Sequence, residues 1–359
     1  MTDFKYSPSG KTIEQAAFTW QSPSNIALVK YWGKKGKQIP ANPSISFTLN
    51  NCYTQTSVEF EHCGGAKPER TFFFEGKQAD SFGGKAFSFL ENILDYQPFL
   101  REYHLTINTE NSFPHSSGIA SSASGMSALA LCCMSLEKEL DPTMSDDYFF
   151  KKASFLARIG SGSAARSVYG GIVSWGEHEH YPGSSDLYAT PYQESIHEEF
   201  LTFRDIVLLV DEGEKKVSST VGHGLLNGHP FAAARYDVAQ ENMTVIKEIL
   251  KTGDIERFGE LVEREALMLH ALMMSGTPPF ILMKSNTLAI IESIQEFRKQ
   301  SGVQLYFTLD AGANVHLLFP KRYEQTVVDF VNEALIGFCQ NNKYICDQVG
   351  NGPQALNHD

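Results

Sequence analysis

The 359-residue chain is poor in cysteine, with six, and no two of them form a CxxC pair or a zinc-like spacing. That excludes a zinc ribbon and a thioredoxin-type redox motif. Cys52, Cys63, Cys132, Cys133, Cys339 and Cys346 are expected to be buried free thiols in a reducing compartment. No apolar run approaches the ~18 residues that a membrane span needs. The opening MTDFKYSPSGKTIEQ lacks the charged-then-apolar layout of a signal peptide, so the expected setting is cytoplasmic. Positive charge is also short: Lys+Arg number 30 against 42 Asp+Glu, a formal charge of −12. Such a field repels nucleic acid and anionic membranes, so neither is an expected partner. A few local Lys and Arg residues still suffice for an anionic small substrate. Internal repeats and low-complexity tracts are absent. What remains is an ordinary globular composition, 42% hydrophobic and 20% charged, in a chain long enough for one large domain or two.

Residues 1–16 are polar and aperiodic and read as a loose leader. Phe18 to Leu49 is extended and turn-rich, punctuated by Pro23, Gly33, Gly36, Pro40 and Pro43. Thr71–Phe74 and Tyr103–Ile107 have strand composition, and Phe87, Leu90, Ile93 and Leu94 recur at helical spacing between them. Ser121 to Leu140 predicts a helix with Ala123, Met126, Leu129, Ala130, Cys133 and Met134 on one face, ended by Asp141-Pro142. Ile172–Trp175 and Ile206–Val210 read as strands, with an exposed connection over 177–195. Helices are predicted at about 231–251 and 254–274, around Ile290 to Phe297 up to Gly302, and over Tyr323–Phe338. Val303, Leu305, Phe307 and Leu309 alternate into a strand that ends on Asp310. Mixed elements without regular βαβ alternation favour α+β. The expected division is a leader at 1–16, an N-terminal domain at 17–195 and a C-terminal domain at 196–359.

Four clusters carry chemistry. Pro114 to Gly125 (PHSSGIASSASG) is a Gly/Ser loop entering the strong helix, where free N–H groups and small side chains admit a phosphate chain. It lacks the Gly-Lys-Ser/Thr of a Walker A loop, and a serine-capped helix start explains it equally well. Arg166, in GSGSAARSVYGG, is suited to a bidentate grip on carboxylate or phosphate beside Ser161 and Ser163, or to plain solvation. SNIALVKYWGK at 24–34 offers Lys30, Tyr31 and Trp32 to a phosphorylated ligand, or an amphipathic strand edge. Asp310, in TLDAGANV, stands where a strand-end acid works as a general base or caps a turn. His178-Glu-His180 lacks a third ligand, His270 reads as structural, and the apolar neighbours of Cys132 argue against a nucleophile.

In order, these segments, with KKVSST at 215–220, MLHALMMSGTPPF at 268–280 and GNGPQ at 350–354, resemble the diphosphomevalonate decarboxylases. That family lies within the galactokinase–homoserine kinase–mevalonate kinase–phosphomevalonate kinase superfamily, and the resemblance runs from about Ser22 to Gln354. It implies an α+β, two-domain fold with an N-terminal domain like that of a small-subunit ribosomal protein and a ferredoxin-like C-terminal domain. It also implies ATP-dependent decarboxylation of mevalonate 5-diphosphate to isopentenyl diphosphate in the mevalonate pathway of isoprenoid biosynthesis, with Mg²⁺, in a homodimer. Alternatives within the superfamily are a phosphomevalonate decarboxylase, a mevalonate 3-kinase type or another small-molecule kinase. By family position Asp310 orients or accepts the proton of the 3-hydroxyl, Arg166 with Asn25 grips the carboxylate, and Lys30 neutralises phosphate charge. Tyr31, Trp32, Gly33, Lys34, Ser161, Gly162, Ser163, Ala164, Ala165, Ser219 and Thr220 line the substrate pocket. Gly118, Ser121, Ser122, Ser124 and Lys85 hold the nucleotide phosphates, and no protein metal ligand is assigned. His115-Ser116-Ser117 departs from the family's usual Thr-Ala-Ala.

Overall fold

The computed structural model describes residues 4–79, 83–114, 119–213 and 219–356, with side chains from 222 onward in the last stretch. Two long strands organise the first half, β1 (Gln15–Val29) and β4 (Ser44–His62), paired antiparallel along most of their length. Between them lies a small ribbon of β2 (Lys34–Gly36) and β3 (Ile39–Pro40). The register of β1 on β4 shifts at Pro23/Asn25 and Ala27/Val29, and the proline cannot donate to the ladder there. The sheet continues through β5 (Arg70–Phe74), β6 (Lys77–Gln78), β7 (Tyr103–Asn111), β8 (Ile172–Trp175) and β9 (Ala189–Pro191). Its main path runs β1-β4-β7-β5-β6, and β8 with β9 adds to the first part of β4. The closing strand β14 (Gln354–Leu356) comes from the far end of the chain and pairs with β1.

Helices α1 (Gly84–Ile93), α2 (Ser121–Leu140) and α3 (Asp146–Gly160) cover one face of this sheet. The single apolar face expected of α2 is too modest, since Ala128, Leu131, Cys132 and Leu136 are buried as well. A helix apolar nearly all round belongs inside, and α2 lies between the sheet and α3. Ser145 caps α3 by accepting the Tyr148 N–H at 3.3 Å.

A second sheet of order β11-β12-β10-β13 forms from β10 (Arg204–Leu208), β11 (Tyr306–Thr308), β12 (Val315–Phe319) and β13 (Tyr344–Gln348), all antiparallel. Short helices α4 (Glu198–Leu201) and α5 (Ser219–Gly224) precede the long pair α6 (Ala232–Thr252) and α7 (Ile255–Met274). Ile206, Leu208, Leu317 and Phe319 face α8 (Ser285–Ser301) and α9 (Glu324–Phe330). Val207, Leu209 and Leu318 face the opposite way, onto α6 and α7 and onto Ile45 and Phe47 of β4. Gly302 stops α8 at φ +70°, as a glycine after the last helical residue should. The last predicted helix is shorter than expected, because α9 passes at Val331 into a π turn and then a 3₁₀ turn ending at Phe338.

Three expectations are corrected. The 4–14 segment lacks regular structure over most of its length, yet Phe4 stacks on Phe155 at 4.6 Å and Tyr6 meets Phe99 edge-on at 4.9 Å, which fastens it. The 177–195 connection is an inter-element strap: Tyr181 is buried and donates to the Met243 carbonyl at 2.9 Å, and β9 pairs with β8. Of the six thiols, all free, Cys346 is exposed and Cys63 half-buried.

Gly259 marks the tightest crossing of α7 over the sheet, where an added Cβ would fall 1.9 Å from the Tyr306 ring. Helix propensity favours alanine over glycine by up to ~1 kcal/mol, whereas overpacking costs roughly 1–3 kcal/mol. Gly259→Val, with more bulk and less propensity gain, should therefore lose about 2–3 kcal/mol of unfolding free energy, measured by denaturant titration.

Candidate active site

The chain leaves β1 at Val29 and places Lys30 on the floor of a cleft of about 940 Å³, lined from both halves of the chain. Lys30 is 2% exposed, and its Nζ stands 3.2 Å from Asp310 Oδ1. Its backbone is held as firmly as its side chain. The Lys30 N–H donates to Glu265 Oε2 at 2.8 Å, and its carbonyl accepts from Arg235 and Asn42, each at 3.0 Å. Glu265, fully buried on α7, also accepts from Arg235 at 2.6 Å and from Asn242 at 2.5 Å. Burial lowers the Lys30 pKa, while the Asp310 carboxylate opposes that shift.

Asp310 follows β11 in the loop back to β12 and is fixed from behind. His270 of α7 meets the Asp310 carbonyl through Nε2 at 3.1 Å, so a ring expected to be merely structural holds the backbone of the candidate base. No signal in one sequence marks that contact, because 40 residues separate the partners.

The second cation is Arg166, 2% exposed at the end of the 3₁₀ turn Gly162–Val168. Its Nε and Nη2 donate to Asn25 Oδ1 at 3.2 and 3.1 Å, and Nη1 donates to Ser44 Oγ at 2.5 Å. Asn25 is itself oriented, donating to Ser167 Oγ at 2.8 Å. A guanidinium has five N–H groups. Three are used, and no carboxylate among the described residues forms an ion pair with Arg166. Burial lowers its pKa to about 10, with Asp310 opposing. The guanidinium therefore stays charged at neutral pH and keeps two donors for an anion.

Tyr31, Trp32 and Lys34 line the cleft with Ser161, Gly162 and Ser163. Gly33 sits beside them at φ +93°, where an added Cβ would meet Tyr236 Oη at 2.3 Å. His223, absent from the sequence-level candidates, also lines the cleft and accepts the Gly33 N–H on Nδ1 at 3.0 Å. Ala164 and Ala165, within the 3₁₀ turn, are fully buried.

At the other end, Ser121, Ser122 and Lys85 line the cleft with Phe72, Phe89, Ile107, Met126 and Leu129. Ala120, in the left-handed region at φ +47°, opens α2 without a side-chain cap. Ser124 is not among the lining residues: it is fully buried and shares a 2.6 Å hydrogen bond with Thr54, which does line the cleft. Gly118, His115, Ser116 and Ser117 lie outside the described residues, as do 215–218 and the side chains of Ser219 and Thr220. His178 is buried and meets the Gln240 carbonyl at 3.0 Å, and no cluster of three metal-ligating side chains occurs among the described residues. Burial raises the Cys132 thiol well above its usual range, against any nucleophilic role.

Two buried histidines, His223 lining the cleft and His270 behind Asp310, carry a pH signature. Burial lowers His270 to about 4 and His223 to about 3, below the ~6.5 of an unfolded chain. Below pH 6.5 the unfolded state then binds protons that the native state refuses, so these rings make stability fall on acidification. Each contributes up to about 1.4 kcal/mol per pH unit between its two pKa values. Relative to the parent, His270→Gln should flatten the decline in unfolding free energy between pH 6.5 and 4.

Comparison with known proteins meets this geometry from outside. A family profile described as the diphosphomevalonate decarboxylase-like N-terminal domain matches residues 22–189. One described as the mevalonate 5-diphosphate decarboxylase C-terminal domain matches 205–356. The diphosphomevalonate decarboxylase of Gibberella zeae is 30% identical over 331 residues, covering 88% of this chain and 84% of its own. The human diphosphomevalonate decarboxylase is 27% identical, covering 90% and 81%. Among solved structures, mevalonate diphosphate decarboxylase from Staphylococcus aureus superimposes with a TM-score of 0.81 at 32% identity, covering 96% and 98%. The complex of MDDEF with MVAPP, AMPPCP and magnesium gives 0.82 at 28% identity, covering 96% and 100%. With its α+β two-domain fold and these matches along nearly its whole length, the chain belongs to the diphosphomevalonate decarboxylase family.

Proposed function

We propose that the protein uses ATP to phosphorylate the tertiary 3-hydroxyl of mevalonate 5-diphosphate and then expels phosphate and CO₂, forming isopentenyl diphosphate. The observation that carries this reading is Arg166: a buried guanidinium with two donors unspent, lining the same cleft as the Lys30–Asp310 pair. A buried cation without an anion is costly, and a substrate carboxylate would complete it.

Each side chain then has a task. Asp310 accepts the hydroxyl proton as the oxygen attacks the terminal phosphoryl group. Lys30, beside it, neutralises charge gathering on that group. When the C3–O bond breaks, phosphate departs with the electron pair and positive charge develops at C3. The C1–C2 bond electrons then form the C2–C3 alkene, and C1 leaves as CO₂. Arg166 and Asn25 fix the carboxylate so that this bond lies in line for cleavage, and orientation of that kind contributes several kcal/mol.

Nucleotide and metal fit the other end of the cleft. The rings of Phe72 and Phe89, with Ile107, Met126 and Leu129, suit a purine, and the uncapped start of α2 suits its phosphates. Ser121, Ser122 and Lys85 would hold the ATP phosphates, and the serine hydroxyls would also reach Mg²⁺, whose part when bound is to neutralise phosphate charge. The same reading includes domains at 17–195 and 196–359, a homodimer and a cytoplasmic setting, the last supported by six free thiols.

Two variants test the roles. Asp310→Asn should lower turnover by roughly 10²–10⁴-fold while sparing ATP binding measured by titration. Arg166→Ala should abolish release of labelled CO₂ from a C1-labelled substrate, and decarboxylation at the parent rate would contradict the carboxylate grip.

A further inference from the structure

His223 is a substrate-binding residue in its own right: we infer that its Nε2–H donates a hydrogen bond to a phosphate oxygen of the substrate, from the side of the cleft formed by Tyr31, Trp32 and Lys34. The inference rests on the proposed activity and adds to it a residue and a donor atom.

Geometry fixes the tautomer. The Gly33 N–H donates to Nδ1 at 3.0 Å, so the neutral ring carries its proton on Nε2. His223 is 8% exposed, and burial together with the nearby Lys34 ammonium keeps the ring uncharged across the physiological range. The ring is also clamped. Its centroid lies 4.4 Å from that of Tyr31 and 4.5 Å from that of Trp32, and a Cβ on Gly222 would already fall 2.7 Å from the Trp32 indole. Nε2–H has no acceptor among the described residues, although the ring lines the cleft.

A second observation points to a ligand. Tyr31 Oη and Trp32 Nε1, both buried, also lack a hydrogen-bond partner among the described residues, and both side chains line the same cleft. Lys34, half-buried there, has no carboxylate partner among the described residues, and burial lowers its pKa. Nε2–H and the indole N–H can only donate, the ammonium is cationic and the phenol is free to donate. A wall of unspent donors beside a cation suits a multiply charged oxyanion, and within the proposed substrate that group is the 5-phosphate chain. An immobile neutral imidazole gives it a directional hydrogen bond without adding another buried charge to those of Lys30 and Arg166.

Two variants separate binding from scaffolding. His223→Met and His223→Gln both lose the Nδ1 acceptor for Gly33, but only glutamine keeps a donor at the tip. With mevalonate 5-diphosphate and MgATP, His223→Met should raise the substrate KM about tenfold, the scale of one charge-assisted hydrogen bond, with KM for ATP and kcat within about twofold. His223→Gln should recover most of that loss. Equal KM values for the two variants, an unchanged substrate KM in the methionine variant, or a matching rise in the KM for ATP would overturn the assignment. Failure of the parent enzyme to decarboxylate this substrate would instead overturn the proposed activity, so the two outcomes are distinct.

Discussion

Lys30 and Arg166 are each 2% exposed in one cleft, and among the described residues only Asp310 lies at ion-pair distance from either side chain, 3.2 Å from Lys30. Taking two cations out of water costs several kcal/mol per ion, and a single carboxylate leaves that cost partly uncompensated. The remainder of the site explains how the fold tolerates this. Neutral acceptors, Asn25 Oδ1 and Ser44 Oγ, take three of the guanidinium's N–H groups. The Glu265 carboxylate is committed to the Lys30 backbone, Arg235 and Asn242. The result is an excess of positive charge concentrated where an anionic substrate completes the pairing, in a protein whose formal charge is −12. Local placement, not overall charge, decides what this cleft attracts.

That arrangement requires the two halves of the chain to be locked in register. Lys30, Asn25 and Arg166 come from the first half, whereas Asp310, His270 and Glu265 come from the second. Several long-range contacts hold them together. Glu265 grips the backbone of Lys30, and the Asp347 carboxylate accepts N–H groups from Asn50, Asn51 and Cys52 at 2.7–2.9 Å. The last strand of the chain closes the first sheet against β1. A cleft built this way is positioned by buried polar contacts, so small shifts between the halves would alter the Lys30–Asp310 distance directly. Proximity effects of that kind are steep in distance and angle.

Much of this was legible in the sequence where periodicity or a glycine stop was strong. Helices α2, α6, α7 and α8 follow from apolar spacing, and Gly302 and Asp141-Pro142 mark ends that the structure keeps. The candidate clusters around Lys30, Arg166 and Asp310 were visible because glycine and serine loops surround charged residues there. What was not visible is long-range. The second half of β4, the fastening of Phe4, and the partnership of His270 with Asp310 all depend on residues tens of positions apart. His223 was missed for a related reason: its role comes from a ring wedged against Tyr31 and Trp32, 190 residues from Gly33. The hydrogen bond of Ser124 to Thr54 is likewise long-range, and a serine at a helix start does not announce it in the sequence.

The central claim is that one cleft couples phosphoryl transfer to carbon–carbon cleavage. Its most direct test is the stoichiometry of products from purified protein, MgATP and, in turn, mevalonate, its 5-phosphate and its 5-diphosphate. The account predicts isopentenyl diphosphate with one ADP, one phosphate and one CO₂ per turnover, from the diphosphate alone. ADP formed without CO₂ would contradict it, because Arg166 would then have no carboxylate to direct.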